Sequence, residues 1–275
     1  MAQTVQTEDA GDIAPPLLRE ARGAAVLLTL NRPDQRNALS EALLGDLLDA
    51  IEELSLNDAV KSVVITGKGP VFCAGHDLKE LSSRRSDADH GKAYFAEIMG
   101  LCSRLMQAVV RCPKPVIAAV QGPATAAGCQ LVASCDLAIA SQDATFCTPG
   151  VHIGLFCSTP MIALSRNVSR KHAMEMLLLG DEVEAARACE IGLINRTVPP
   201  SELLKASFLM AEQIASKSAA VVKIGKEAFY RQLEMPLSQA YDYASEVMVT
   251  NMLHRDAKEG IDAFLEKRPP KWSEP

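Results

Sequence analysis

The sequence predicts an α/β fold, a mainly parallel sheet wrapped by helices and followed by a helical C-terminal region. Three observations carry that expectation. Short apolar runs with strand character alternate with helix-period stretches along the first half of the chain. Parallel strands need crossover connections, which the intervening helical stretches supply. Beyond Thr159 strand-like runs become scarce and the 3.6-residue period dominates.

The first run, 24–30 (AAVLLTL), is followed by the turn-rich NRPDQRN and then by Ser40, a predicted N-cap for a helix over 41–54. Residues 60–66 (VKSVVIT) and 115–120 (PVIAAV) read as buried strands, with a helix over 94–110 between them and a short strand over 137–140 after Asp136. The polar, aperiodic 82–92 (SSRRSDADHGK) reads as a mobile surface loop. Helices are expected over 171–179, 202–216, 219–233 and 237–252.

At 275 residues the chain can bury roughly 70 to 75% of its unfolded surface as one large domain or two small ones. A composition 48% hydrophobic and 23% charged is that of an ordinary globular protein. No apolar run reaches the roughly 20 residues that span a bilayer, so no membrane segment is expected. A net charge of −6 argues against generic nucleic-acid binding, which draws on concentrated Lys and Arg. The eight cysteines show no C-x-x-C or other metal-type spacing, which predicts buried thiols in a reducing compartment and no metal site. Residues 1–16 carry Glu8, Asp9 and Asp12 and neither Lys nor Arg, unlike a signal or transit peptide; this composition predicts a cytoplasmic protein with a flexible start over 1–14.

Two glycine-containing segments lie between a strand and a helix. In 71–81 (VFCAGHDLKEL) the Ala-Gly pair lets backbone approach a ligand closely. In 121–136 (QGPATAAGCQLVASCD) small residues from Ala124 to Gly128 lead into an apolar helix whose first amides have no partner. Two such helix starts facing one another would hold an oxyanion, although small residues also serve merely to let helices pack.

FCAGHDLKEL resembles the F-x-A-G-x-D-[LI]-x-E segment of the enoyl-CoA hydratase/isomerase (crotonase) family, and AAGCQLVASCDLAIAS resembles that family's G-G-G-x-E-L-x-x-x-C-D-[LI]-x-[IV]-A segment. The similarity continues, in order, through NRPDQRNALS, FCTPGVHIGLFCSTP, AMEMLLLGDEVEAARACEIGLINRTVP and EGIDAFLEKRPP. It implies a spiral of βαβ units over 15–200, a helical oligomerisation region over 201–275 and a homotrimer or homohexamer. The implied ligand is an acyl-CoA thioester, its coenzyme A part of the substrate, with no separate cofactor. By the same resemblance the oxyanion donors are the main-chain N–H groups of His76 and Ala127, and coenzyme A contacts fall on Arg36, Ala38, Ala74, Asp77, Leu78, Phe264 and Lys267. Asp77 reads as a brace for its loop or a cap for its own helix rather than as an acid–base group.

The pattern departs from the family at the chemistry. Its hydratases use two glutamates, and the matching positions here hold Gln130 and Gly150; an amide exchanges no proton near neutral pH and glycine has no side chain. Some members place an acid eight residues beyond the second position, which here is Ser158. General acid–base groups contribute about 10²–10⁴ each, so ordinary hydration is expected to be very slow. The remaining candidates are Gln130 as a hydrogen-bonding group, His152 as an acid or base, Cys129, and Cys157 beside Ser158 as a nucleophile, with His76, His90 and Glu97 further out. Against these stand a structural His152 and inert thiols. Gly150 is expected to leave space for a longer acyl group, a water or an anion. An acyl-CoA enzyme with non-standard acid–base groups is the leading expectation, ahead of a non-catalytic acyl-CoA binder and of a thioesterase using the His152 and Cys157 region.

Overall fold

The computed structural model describes residues 14–273. Strands β1 (Leu17–Arg22) and β2 (Ala25–Leu30) form a hairpin through Gly23, whose φ of 60° suits glycine. Helix α1 (Glu41–Leu56) starts at Ser40, whose hydroxyl accepts the Leu43 amide as expected, and leads into β3 (Ser62–Gly67). Helices α2 (Leu78–Ser83) and α3 (Lys92–Arg111) precede β4 (Val116–Val120), β5 (Ala124–Thr125), α4 (Ala127–Ser134), β6 (Leu137–Ser141) and β7 (Thr145–Cys147). Then come α5 (Pro160–Asn167), α6 (Arg170–Leu179), β8 (Val183–Glu184), α7 (Ala185–Glu190) and β9 (Arg196–Val198). The chain ends in α8 (Leu203–Ala215), α9 (Ala219–Gln232), α10 (Leu237–Met252) and α11 (Arg255–Leu265).

Six strands form the main sheet in the order β1-β2-β3-β4-β6-β9, all parallel except β1; β5, β7 and β8 form a small second sheet. Both faces of the main sheet are covered, which is why its strands read as unbroken apolar runs. Alternate residues Val26, Leu28, Leu30, Val63, Ile65 and Ala118 join a core with α1 and α3, while Ala25, Leu27, Val64, Ile117 and Ile139 pack under Leu203 and Ala211 of α8.

Two expectations change. The edge strands β1 and β9 carry mixed polar residues and escape a search for apolar runs. Residues 82–92 are partly helical: α2 runs to Ser83 and a 3₁₀ turn follows over Arg84–Ser86, with the Arg84 and Arg85 guanidinium groups over the Tyr94 and Phe95 rings at 4.6 and 5.7 Å. Residues 1–13 of the segment expected to be flexible lie outside the described residues. No helix among the described residues is long and apolar enough to cross a membrane.

Helices α9 and α10 bury none of their residues within the chain, and Phe229, Leu237, Tyr241, Met248, Val249 and Met252 are exposed along them. A largely buried ion pair ties this annex to the core. Lys226 Nζ lies 2.6 Å from Asp136 Oδ2 and also donates to the carbonyls of Val109 and Lys114, while Tyr230 donates to Asp136 Oδ1 and the Val116 amide to Oδ2.

Candidate functional site

The two glycine segments meet. Cys73 and Ala124 form a parallel bridge, Thr125 N donates to Cys73 O at 2.8 Å, and Phe72 N donates to Pro123 O at 3.0 Å. A Cβ added to Gly75, whose φ is 89°, would lie 3.0 Å from both the Ala126 Cβ and the Thr125 carbonyl and 3.3 Å from the Ala127 nitrogen. A Cβ on Gly128 would run into the Cys73 carbonyl. Both glycines are therefore required by backbone-to-backbone approach, and that approach brings the turn before His76 against the first residue of α4.

The amides at this junction are free. Among the described residues neither the His76 nor the Ala127 N–H donates to another group of the chain. Ala127 opens a fully buried eight-residue helix, so its N–H is one of the unpaired helix-start donors and lies at the positive end of the helix dipole. Ala126, just before it, has φ 51° and ψ −114°, a left-handed conformation that a side chain rarely adopts. Strain of this kind concentrates at functional sites.

The turn carrying His76 is moulded by 31–40. Leu39 N donates to Gly75 O at 2.7 Å and Asp77 N donates to Leu39 O at 3.2 Å, while Ala74 N donates to Arg36 O at 3.0 Å. Arg36 uses its main chain here, in a left-handed conformation, and its side chain is exposed; Ala38 is buried. Asp77 accepts from the Lys79 and Glu80 amides and pairs with Arg32 Nη2 at 3.0 Å. Burial pushes its carboxyl up, but the Arg32 and amide hydrogen bonds outweigh this and hold it below the usual carboxylate range. Its carboxylate caps and braces the loop. Leu78 is exposed beside it. Phe264 and Lys267 stand exposed in or just after α11, Lys267 with φ 58°.

At the departures from the family pattern, Gln130 is buried with Oε1 unpartnered, and His76 has both ring nitrogens buried without partners; burial lowers the His76 pKa and keeps the ring neutral. An unmet buried polar atom costs about 1–3 kcal/mol. The expectation of open space at Gly150 is corrected: a Cβ there would lie 2.9 Å from Cys157 Sγ and 3.0 Å from the Leu155 carbonyl. The segment after Gly150 folds back and fills the position, which the sequence could not show because it depends on the path of 154–157.

The proton-transfer candidates are separated by their surroundings. His152 Nε2 lies 2.8 Å from the Leu179 carbonyl, which can only accept, so that nitrogen carries the proton and ties the 149–153 turn to the end of α6. Cys157 is buried, its thiol pushed up by burial despite a hydrogen bond from the Gly150 amide, and no hydrogen bond joins it to His152 among the described residues. Cys129 is fully buried, and its thiol is likewise pushed up by burial. Ser158 is exposed, with its hydroxyl on the Phe156 carbonyl at 3.3 Å. His90 and Glu97 are exposed on the surface. Sequence reasoning missed Arg32, although NRP was in view; nothing in that string announces a guanidinium turned inward.

Comparison with known proteins shows the family. The family model described as enoyl-CoA hydratase/isomerase matches residues 20–275. The chain is 48% identical over 247 residues to the human protein named enoyl-CoA hydratase domain-containing protein 3, mitochondrial, covering 90% of this chain and 80% of that one. Its rat counterpart, also named mitochondrial, is 47% identical over 246 residues at the same coverage. A crystal structure of an enoyl-CoA hydratase from Mycobacterium smegmatis superposes with a TM-score of 0.90 at 48% identity, covering 94% of this chain and 99% of that one. The spiral α/β fold expected from the motifs is thereby confirmed. The mitochondrial relatives overturn the cytoplasmic expectation. The physical reason is that free thiols exclude only an oxidising compartment, while a receptor-read address is separate from the folded domain.

Proposed function

The chain belongs to the enoyl-CoA hydratase/isomerase family, and from that premise we propose that it binds an acyl-CoA thioester and polarises the carbonyl with the main-chain amides of His76 and Ala127. The observation carrying this reading is the apposition of Gly75 and Ala127 with both neighbouring amides unpaired. A hydrogen-bond pair preorganised in a buried site stabilises the enolate oxygen that forms when a proton leaves the α carbon, and one such donor is worth on the order of 10²–10³ in rate.

The reaction at that enolate differs from two-glutamate hydration, because Gln130 exchanges no proton and Cys157 fills the place of a side chain at Gly150. Gln130 and His76 are the polar side chains at the site still lacking partners. Arg36 and Lys267 are the cations assigned to coenzyme A phosphates, with Ala38, Ala74, Leu78 and Phe264 around the nucleotide arm. The exposed apolar surfaces of α9 and α10 support a trimer or a dimer of trimers.

The test mixes purified protein with crotonyl-CoA and follows both calorimetric binding and the enoyl absorbance. Binding with little or no loss of absorbance is expected; no binding overturns the thioester reading, and fast loss overturns the catalytic one. The second reading, a binder without turnover, is favoured by the occupied space at Gly150, and a screen of acyl-CoA esters that bind and return unchanged would establish it. Release of free coenzyme A in the same screen, detected with a thiol reagent, would instead mark a thioesterase.

A further inference from the structure

Resting on that reading, we propose that Arg32 is a positioning residue: its guanidinium, bridging the Ala38 carbonyl and the Asp77 carboxylate, sets the direction in which the His76 amide points.

Only the two heavy atoms bonded to the amide nitrogen determine where that N–H aims, since the proton lies in the plane of its own peptide. Leu39 holds the Gly75–His76 peptide by donating to Gly75 O, and holds the following His76–Asp77 peptide by accepting from Asp77 N. The aim of the amide therefore follows the placement of 38–39 relative to 75–77. Arg32 is the side chain that clamps these two strips to each other. Nη1 donates to Ala38 O at 2.6 Å and Nη2 donates to Asp77 Oδ2 at 3.0 Å.

The clamp is itself anchored. Arg32 N donates to the side-chain oxygen of buried Asn37, whose amide nitrogen donates to the Lys68 and Val71 carbonyls. Asp77 is anchored by the two α2 amides it caps. The pair is protected, with side chains 19% and 11% exposed, so solvent screens it far less than an ordinary surface ion pair. A planar fork spans two acceptors on separate strips, whereas a lysine ammonium is a point donor on a flexible stem. The Arg32 charge is also committed to Asp77, which separates it from Arg36, whose side chain is exposed and free to meet a phosphate.

Misplacing a preorganised donor by about 1 Å can cost roughly 10² in rate without removing the donor. The experiment reads the aim directly. Butyryl-CoA carrying ¹³C at its carbonyl is bound to wild-type protein, R32K and D77N, the carbonyl stretch is measured by infrared difference spectroscopy, and Kd by calorimetry; far-UV circular dichroism verifies folding. In wild-type protein the stretch should fall below its value in free solution. In R32K, which keeps the charge, it should move back toward the free value, with Kd raised by no more than about tenfold, the worth of one hydrogen bond. D77N, which keeps a capping oxygen, should move the stretch the same way and stands in if R32K does not fold.

Variant complexes with the wild-type stretch would overturn the inference, as would an R32K protein whose weakened binding leaves the stretch unchanged, since that outcome makes Arg32 a phosphate contact. A wild-type complex with no shift would overturn the amide reading itself, and the two failures are told apart by the wild-type spectrum alone.

Discussion

Cys157 Sγ crowds Gly150, lying 2.9 Å from the position of the Cβ that the glycine lacks. The Leu155 carbonyl closes the same space at 3.0 Å. Residue 150 is therefore not an open position that one substitution fills.

G150A is expected to destabilise the protein by about 1–3 kcal/mol, the range for overpacking a filled interior. Denaturant unfolding measures it. C157A removes one of the two clashes, so the cost of G150A in a C157A background should be smaller; an equal cost in both backgrounds would show that the sulfur does not close the position. By the same reasoning G150E is expected to leave crotonyl-CoA hydration as slow as in the parent protein.

H152A removes a hydrogen bond to the Leu179 carbonyl on an exposed turn. Its expected effect is about 0.5–1.5 kcal/mol of stability. Acyl-CoA binding and any turnover should be unchanged, measured by calorimetry and product analysis. A loss of turnover with stability intact would return His152 to the chemistry.

Removing Lys226 strands Asp136 in the interior. K226M is expected to cost about 3–5 kcal/mol at neutral pH, as for a buried pair broken on one side. The loss should shrink at acid pH, where Asp136 can take a proton. K226M/D136N should recover part of it, and urea midpoints of the four proteins across pH test the cycle.

His76 gives a pH signature whose sign follows from its buried, unpartnered ring. Its folded pKa lies below its unfolded value, so below about pH 6.5 the unfolded chain binds a proton that the folded chain refuses. Unfolding then becomes easier as pH falls, with the full contribution present above about pH 6.5. H76N should flatten that slope between pH 7 and 5.5 in urea midpoints. Equal slopes in both proteins would place the ring in contact with solvent.

The interior strands were legible in the sequence because β2, β3, β4 and β6 are buried on both faces and must be continuously apolar. Ser40 was legible as a cap because its hydroxyl acts on an amide three residues away. The edge strands β1 and β9 were not, since an edge needs no apolar run. At the site, Gly75 and Gly128 were legible as close-approach positions, and the motifs carried His76 and Ala127. Arg32 was not, because its two acceptors are 6 and 45 positions away and only one of them is local.

By itself, then, the sequence determined the interior strands and the helices between them, the two glycine turns and the presence of Gln130 and Gly150, all properties of residues within a few positions of one another. Only the tertiary structure decided that Cys157 closes Gly150, that Arg32 turns inward to Asp77 and that Lys226 holds the annex through Asp136. Those outcomes depend on contacts between distant segments, and periodicity carries no information about which surfaces the chain brings face to face.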